Sequence, residues 1–208
     1  MEAIKQHIRN GVRRVAHWVN HLSRGKVTPN QVTIVGLLAH IPIAWLIATG
    51  NNVWAAILLI IFGLFDTLDG ELARLQKRTS AQGMFLDAST DRMKEVLIYS
   101  GAAYALAASA HPMAAVWAVG ACGASLCVSY VKAKGEAAIA TQKNFDPAAL
   151  NRVFKDGFFT FEVRMAAIIL GVLLNQLLIA VVVVTIFAAF TALQRLIRIF
   201  KALTDVHH

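Results

Sequence analysis

The sequence predicts an all-α integral membrane protein, with six transmembrane helices preceded by an amphipathic helix on the membrane surface. Three observations carry this expectation. The 208 residues are 57% hydrophobic with a mean hydropathy of +0.58, too apolar for an ordinary soluble domain. The apolar residues gather in runs of roughly 17 to 25, the length that crosses a bilayer as helix. Backbone groups in lipid must be satisfied internally, so each run is expected to be helical.

The elements follow in order. Within Met1 to Lys26, Ile4, Ile8, Val12, Val15, Val19 and Leu22 recur at helical spacing, with Arg9, Arg13 and Arg14 off that stripe. This predicts an amphipathic helix, lying on the membrane or packing on the protein's own cytoplasmic side. The segment lacks the apolar core of a signal peptide, so the first hydrophobic run is expected to insert and stay. Thr28-Pro29-Asn30 offers a helix start, with Thr28 as N-cap and Pro29 in the first turn.

The first span then runs over about residues 31–49 and ends at the turn signal Gly50-Asn51-Asn52. The second covers about 53–76, the third 83–109, the fourth 113–135, the fifth 158–174 and the sixth 177–200. The longest polar stretch, Glu136 to Asp156, separates spans four and five. Residues 1–27 and 28–208 read as a surface helix and a six-helix bundle of one domain, without an internal repeat or a soluble second domain. Cys122 and Cys127 are five apart in one apolar run, neither a CxxC pair nor a disulfide framework, and read as packing residues.

Charge gives the orientation. Three connections, Gly50 to Asn52, His111-Pro112 and Asn175-Gln176, contain no Lys or Arg. The 20 basic residues fall in the N-terminal segment, the other connections and the C-terminus, or within a few turns of them. By the positive-inside rule both termini, the central acidic stretch and the Glu136–Asp156 loop are expected on the cytoplasmic side. The pI near 9.9 is therefore mostly a matter of topology, and nucleic-acid binding is disfavoured.

The chemistry is concentrated between residues 66 and 91, DTLDGELARLQKRTSAQGMFLDASTD. Asp66 and Asp69 are three apart and Asp87 and Asp91 four apart, so on helices each pair shares one face. Ionised carboxylates at the edge of hydrocarbon are costly without a compensating partner. Four of them, without a matching cluster of four bases nearby, point to a metal. An all-oxygen ligand set favours Mg²⁺ or Mn²⁺ over zinc.

With its spacings, the stretch reads Asp66-x2-Asp69-Gly70-x2-Ala73-Arg74-x8-Gly83-x3-Asp87-x3-Asp91. In type and spacing all eight positions resemble the signature of the CDP-alcohol phosphotransferases, integral membrane enzymes of phospholipid synthesis. The resemblance extends to the surface N-terminal helix, Thr-Pro-Asn before the first span, and six spans. It implies transfer of a phosphatidyl-type group from a CDP-linked lipid to an alcohol, with release of CMP. It also implies two divalent ions held by Asp66, Asp69, Asp87 and Asp91, with Asp91 as general base. Asp69, Gly70, Ala73, Arg74 and Gly83 fall to the CDP-lipid. The small residues let helices and nucleotide approach closely, and Arg74 can pair with an aspartate or with phosphate. The family is commonly homodimeric.

Ser129-Tyr130-Val131-Lys132, Arg164 and Thr191-Ala192-Leu193-Gln194-Arg195 resemble the branch that makes phosphatidylinositol phosphate or archaetidylinositol phosphate. Carried over, Ser129, Lys132, Arg164 and Arg195 would bind the acceptor's phosphate, which makes inositol 1-phosphate the expected acceptor. That branch usually carries an E-R-x-E-R-like stretch, whereas Phe161-Glu162-Val163-Arg164 lacks one arginine of the pair. Arg152 therefore competes with Arg164. Glycerol 3-phosphate or serine is the alternative acceptor, and diacylglycerol or archaeol can carry the CDP. A prokaryotic cell membrane is the expected location. Rival classes are a cation transporter, since intramembrane acids also line ion pathways, and a membrane scaffold with an incidental acidic patch.

Overall fold

The computed structural model describes residues 2–140 and 159–204. Among them every regular element is a helix. In chain order these are α1 (Glu2–Leu22), α2 (Pro29–Ala48), α3 (Asn52–Gly63), α4 (Phe65–Leu75), α5 (Ala81–Ala107), a 3-10 turn (Pro112–Ala114), α6 (Ala115–Ala140), α7 (Phe161–Leu173) and α8 (Leu177–Thr204). The chain forms two compact units, residues 1–101 and 102–208.

In the first unit, the predicted start of α2 is present as a capping box. Gln31 N donates to Thr28 Oγ1 at 3.3 Å and Thr28 N to Gln31 Oε1 at 2.9 Å, satisfying two of the donors a helix end leaves open. Gly50 closes the following turn at φ +75°, a conformation that suits glycine. The predicted second span proves to be two helices, broken at Leu64 just after Gly63, where a residue without a side chain weakens the helix. The break gives Asp66 the first turn of a new helix, where the backbone dipole favours an acid. α1 packs against α4, burying Val12 and Ala16 with Val32, Leu68 and Leu72. Its Val15, Trp18 and Leu22 remain exposed. The expected apolar stripe is therefore split, with Val12 facing the protein and Val15 and Leu22 facing outward. α5 passes close to α2, and a Cβ at Gly101 would meet the Ala44 carbonyl.

The second unit is built on α6 and α8, with α7 beside α8. Thr185 Oγ1 donates to the Trp117 carbonyl at 3.0 Å. Ala118, Ala121, Val128, Ile168, Val172, Val181, Val184 and Ala188 fill the core. The turn predicted at Asn175-Gln176 has Asn175 at φ +56°, which asparagine tolerates better than most residues. α6 runs on through Ala140, past the end expected at Gly135. Good helix formers follow there, so the polar loop starts later than Glu136. Residues 141–156 of that loop, with Arg152, lie outside the described residues.

Among the described residues, four helical stretches are long and apolar enough to cross a membrane: Pro29–Ala48, Asn52–Leu75, Pro112–Ile139 and Leu177–Thr204. The other two predicted spans correspond to α5, whose first half is charged, and to α7, whose described helix has 13 residues. Large side chains such as Trp45, Trp54, Leu170 and Phe190 stand exposed on these helices, as expected where lipid rather than water is the solvent.

Candidate functional site

The acidic stretch folds so that α4 carries Asp66 and Asp69, and α5 carries Asp87 and Asp91. Asp66, Asp87 and Asp91 each bring a carboxylate oxygen within 4.8 Å of the others. Oxygen ligands sit about 2.1 Å from Mg²⁺, so opposite ligands lie about 4.2 Å apart. The cluster therefore needs only modest contraction to hold such an ion. Asp87 Oδ1 is buried without a hydrogen-bond partner among the described residues. A buried oxygen lacking a donor is costly, and a cation would satisfy it. The donor set thus fits a hard divalent ion.

Asp69, the fourth acid, stands apart from this trio. It is buried and accepts a hydrogen bond from Thr33 Oγ1 at 2.6 Å. Together with Gly70, Ala73, Arg74, Gly83 and Asp87 it lines a cavity of about 250 Å³ that Pro29 and Asn30 close from α2. All five residues expected to hold the CDP-lipid therefore share one cavity, and Asp69 and Asp87 border it. A Cβ at Gly83 would lie 3.3 Å from Ser80 Oγ and 3.6 Å from Asn30 Oδ1, so a larger residue would crowd that wall.

Three further residues shape the site. Lys94, 1% exposed, reaches Asp66 and lies 3.3 Å from Asp91. Its stem passes Gly36 of α2, whose added Cβ would touch Cε at 3.9 Å. One base is therefore buried among the acids, fewer than would match them. Its position three residues after Asp91 in a helix was the available signal. Arg92 bonds Glu95 at 3.0 Å and lies 3.6 Å from Asp91. Arg74, expected to pair with an aspartate or with phosphate, donates to Glu71 Oε1 at 2.8 Å, and Arg9 donates to the same oxygen at 3.1 Å. Glu71 falls at an unspecified position of the motif, between Gly70 and Ala73. Three residues before Arg74 on one helix, it is the nearest acid on the same face.

The four residues expected to hold the acceptor lie in the second unit. Arg164 is 1% exposed; its Nη1 donates to the Phe159 carbonyl at 3.1 Å, and its guanidinium lies 6.0 Å from the Phe161 ring centre. Arg195 is also buried, with Nη1 donating to the Val128 carbonyl at 3.2 Å and Nε lacking a partner among the described residues. The two guanidinium groups are close enough to repel each other. Ser129 Oγ donates to the Ser125 carbonyl at 3.3 Å. Lys132 is half exposed and 3.7 Å from Glu136.

A sequence model of one family, CDP-alcohol phosphatidyltransferase, matches residues 26–193. The chain belongs to that family. Among curated relatives, the phosphatidylinositol phosphate synthase of Corynebacterium glutamicum is 42% identical over 115 residues, 54% of this chain and 52% of that protein. The enzyme of the same name from Cutibacterium acnes is 32% identical over 136 residues, 63% and 65% of the two chains. The archaetidylinositol phosphate synthase of Pyrococcus horikoshii is 38% identical over 77 residues, 37% and 41%. The chain thus spans about half the length of the curated relatives it matches. The fold is similar to that of Mycobacterium tuberculosis phosphatidylinositol phosphate synthase, at 24% identity. The crystal structure of that protein with CDP-DAG bound gives a TM-score of 0.76, covering 91% of this chain and 93% of that one. The one in complex with manganese and citrate gives 0.77, covering 91% and 88%. The family expected from the Asp66–Asp91 stretch and the all-helical membrane fold expected from the apolar runs are thereby borne out.

Proposed function

We propose that this protein moves a phosphatidyl-type group from a CDP-linked lipid to inositol 1-phosphate, releasing CMP. One observation carries the reading: Asp66, Asp87 and Asp91 converge beside a cavity lined by the other motif residues, Asp69, Gly70, Ala73, Arg74 and Gly83. Donor and metal chemistry meet there. The names of the relatives support the acceptor, and two buried, mutually repelling arginines support an acceptor that brings its own negative charge.

In this mechanism Asp66, Asp69, Asp87 and Asp91 hold Mg²⁺ or Mn²⁺, two ions in the complete site. When bound, these ions supply the positive charge that offsets the pyrophosphate and the carboxylates. Gly70, Ala73 and Gly83 admit the nucleotide, and Arg74 is placed to exchange Glu71 for a donor phosphate oxygen. Asp91 takes the proton of the acceptor hydroxyl as its oxygen bonds to the lipid-bearing phosphorus. The bond from that phosphorus to the bridging oxygen breaks, and CMP leaves with the electron pair. Ser129, Lys132, Arg164 and Arg195 grip the acceptor's phosphate, the arginines through paired N–H donors.

The rest of the reading follows from charge and length. α5 and α7 serve as the third and fifth of six spans in one domain. Both termini and the acidic cluster face the cytoplasm of a prokaryotic cell; membership of the family, rather than charge or length, suggests a homodimer as the working form. Glycerol 3-phosphate or serine is the second choice of acceptor. The helix break at Leu64 is a feature that cation transporters share, but the family match favours the transferase. The test is release of labelled CMP from CDP-diacylglycerol by the purified protein, compared for inositol 1-phosphate, inositol, glycerol 3-phosphate and serine. Release with inositol 1-phosphate ahead of the others is expected. No release with any acceptor would overturn the transferase, and release led by another alcohol would overturn the acceptor.

A further inference from the structure

The first unit holds a second and larger cavity, of about 530 Å³, between α1 and α4. Arg9, Arg13 and His17 of α1, four residues apart and so on one helix face, line it opposite Glu71 and Arg74 of α4. Three arginines face a single acid among the described residues, leaving a formal charge of +2 at the cavity wall. Glu71 is buried and accepts from Arg9 and Arg74 through one and the same oxygen. Each guanidinium carries five donors in a rigid fork, so this anchor orients two of them while using one N–H of each. Arg13 is exposed on the same wall. Such a fixed, multivalent set of donors matches phosphate oxygens better than it matches a lone carboxylate.

The source of the phosphate follows from the other faces of α1. At about 100° per residue, Val15, Trp18 and Leu22 lie on the opposite side of the helix from Arg9, Arg13 and His17. They are exposed, Trp18 at 66% and Leu22 at 67%. If that apolar face meets lipid, the cavity opens away from it, towards water. We propose that this cavity is a binding site for a soluble phosphate monoester dianion, separate from the donor cavity. Arg74 lines both cavities, so a ligand here draws on the same guanidinium that borders the CDP-lipid. The inference rests on the cavity, and it stands whichever alcohol the enzyme uses.

The test measures inorganic phosphate binding by calorimetry to the purified full chain, with Arg195→Ala as background to silence the buried arginine of the second unit. Phosphate should still bind in that background. Arg13→Glu added to it should weaken binding at least about tenfold, the loss of one charge-assisted contact. Arg14→Glu, the same charge change on an exposed α1 residue that does not line the cavity, should leave it nearly unaltered. Melting temperatures of the three proteins check that each is folded. Equal weakening by Arg13→Glu and Arg14→Glu would reduce the effect to general charge and overturn the site. So would no phosphate binding in the Arg195→Ala background. A parallel arm counts phosphatidylglycerol retained from mixed phosphatidylcholine nanodiscs by native mass spectrometry. Retention insensitive to Arg13→Glu is expected. Retention lost in Arg13→Glu, with no phosphate binding, would overturn the soluble ligand in favour of a lipid headgroup.

Discussion

Residues 1–101 and 102–208 bury opposite electrostatic problems. The first unit draws Asp66, Asp87 and Asp91 together, with Lys94 reaching two of them and Arg92 3.6 Å from Asp91, and leaves Asp87 Oδ1 without a donor among the described residues. The second buries two arginines within each other's field and leaves Arg195 Nε unpaired among the described residues. Neither arrangement stabilises the fold by itself, because drawing like charges together in a buried place costs free energy even where partners balance part of it. Each makes sense as a half-built ligand site. The acid trio would take up cations, and the arginine pair an anion. In the proposed function these are the metal ions and the acceptor's phosphate.

The contrast can be broken most severely by removing metal. Excess EDTA should abolish CMP release, and Mg²⁺ or Mn²⁺ should restore it; full turnover in EDTA would remove the metal role of the acidic cluster. Next in size is Asp91→Asn, which should lower kcat on the order of 10²-fold or more while metal binding, read by Mn²⁺ electron paramagnetic resonance, is partly retained. Near-normal kcat would assign the base elsewhere. Lys94→Met should cost about 1 to 3 kcal/mol of stability by leaving two acids without their base. The loss should be visible as a lower melting temperature in EDTA and smaller with Mn²⁺, which neutralises the same acids. A variant equally stable in both media would show that Lys94 does not balance them. The smallest effect is expected from Lys132→Ala, because Lys132 is half exposed and already 3.7 Å from Glu136. Its acceptor KM should rise by less than that of Arg195→Ala.

These two regions also differ in how far the sequence revealed them. The acids of the first unit were legible because helical spacing of three and four puts paired carboxylates on one face, and charge beside apolar runs is conspicuous. The same rules did not show the break at Leu64, since Gly63 is tolerated in many helices. Nor did they show that Arg74 prefers Glu71, or that Asp69 stands apart on Thr33, because those pairings depend on side-chain reach rather than on spacing. Lys94 looked like any basic residue within a few turns of a connection, and its burial against Gly36 depends on how α2 packs. In the second unit, Ser129, Lys132, Arg164 and Arg195 have no common period and come from three helices. Only resemblance brought them together before the fold placed Arg164 and Arg195 near each other.

The division of labour between the units is tested most directly by Arg195→Ala, with both substrate KM values measured using CDP-diacylglycerol and inositol 1-phosphate. The account predicts an acceptor KM raised about 10- to 150-fold, the equivalent of one lost charge-assisted contact of roughly 1.5 to 3 kcal/mol. The donor KM should be nearly unchanged. An unchanged acceptor KM, or a rise confined to the donor, would contradict it.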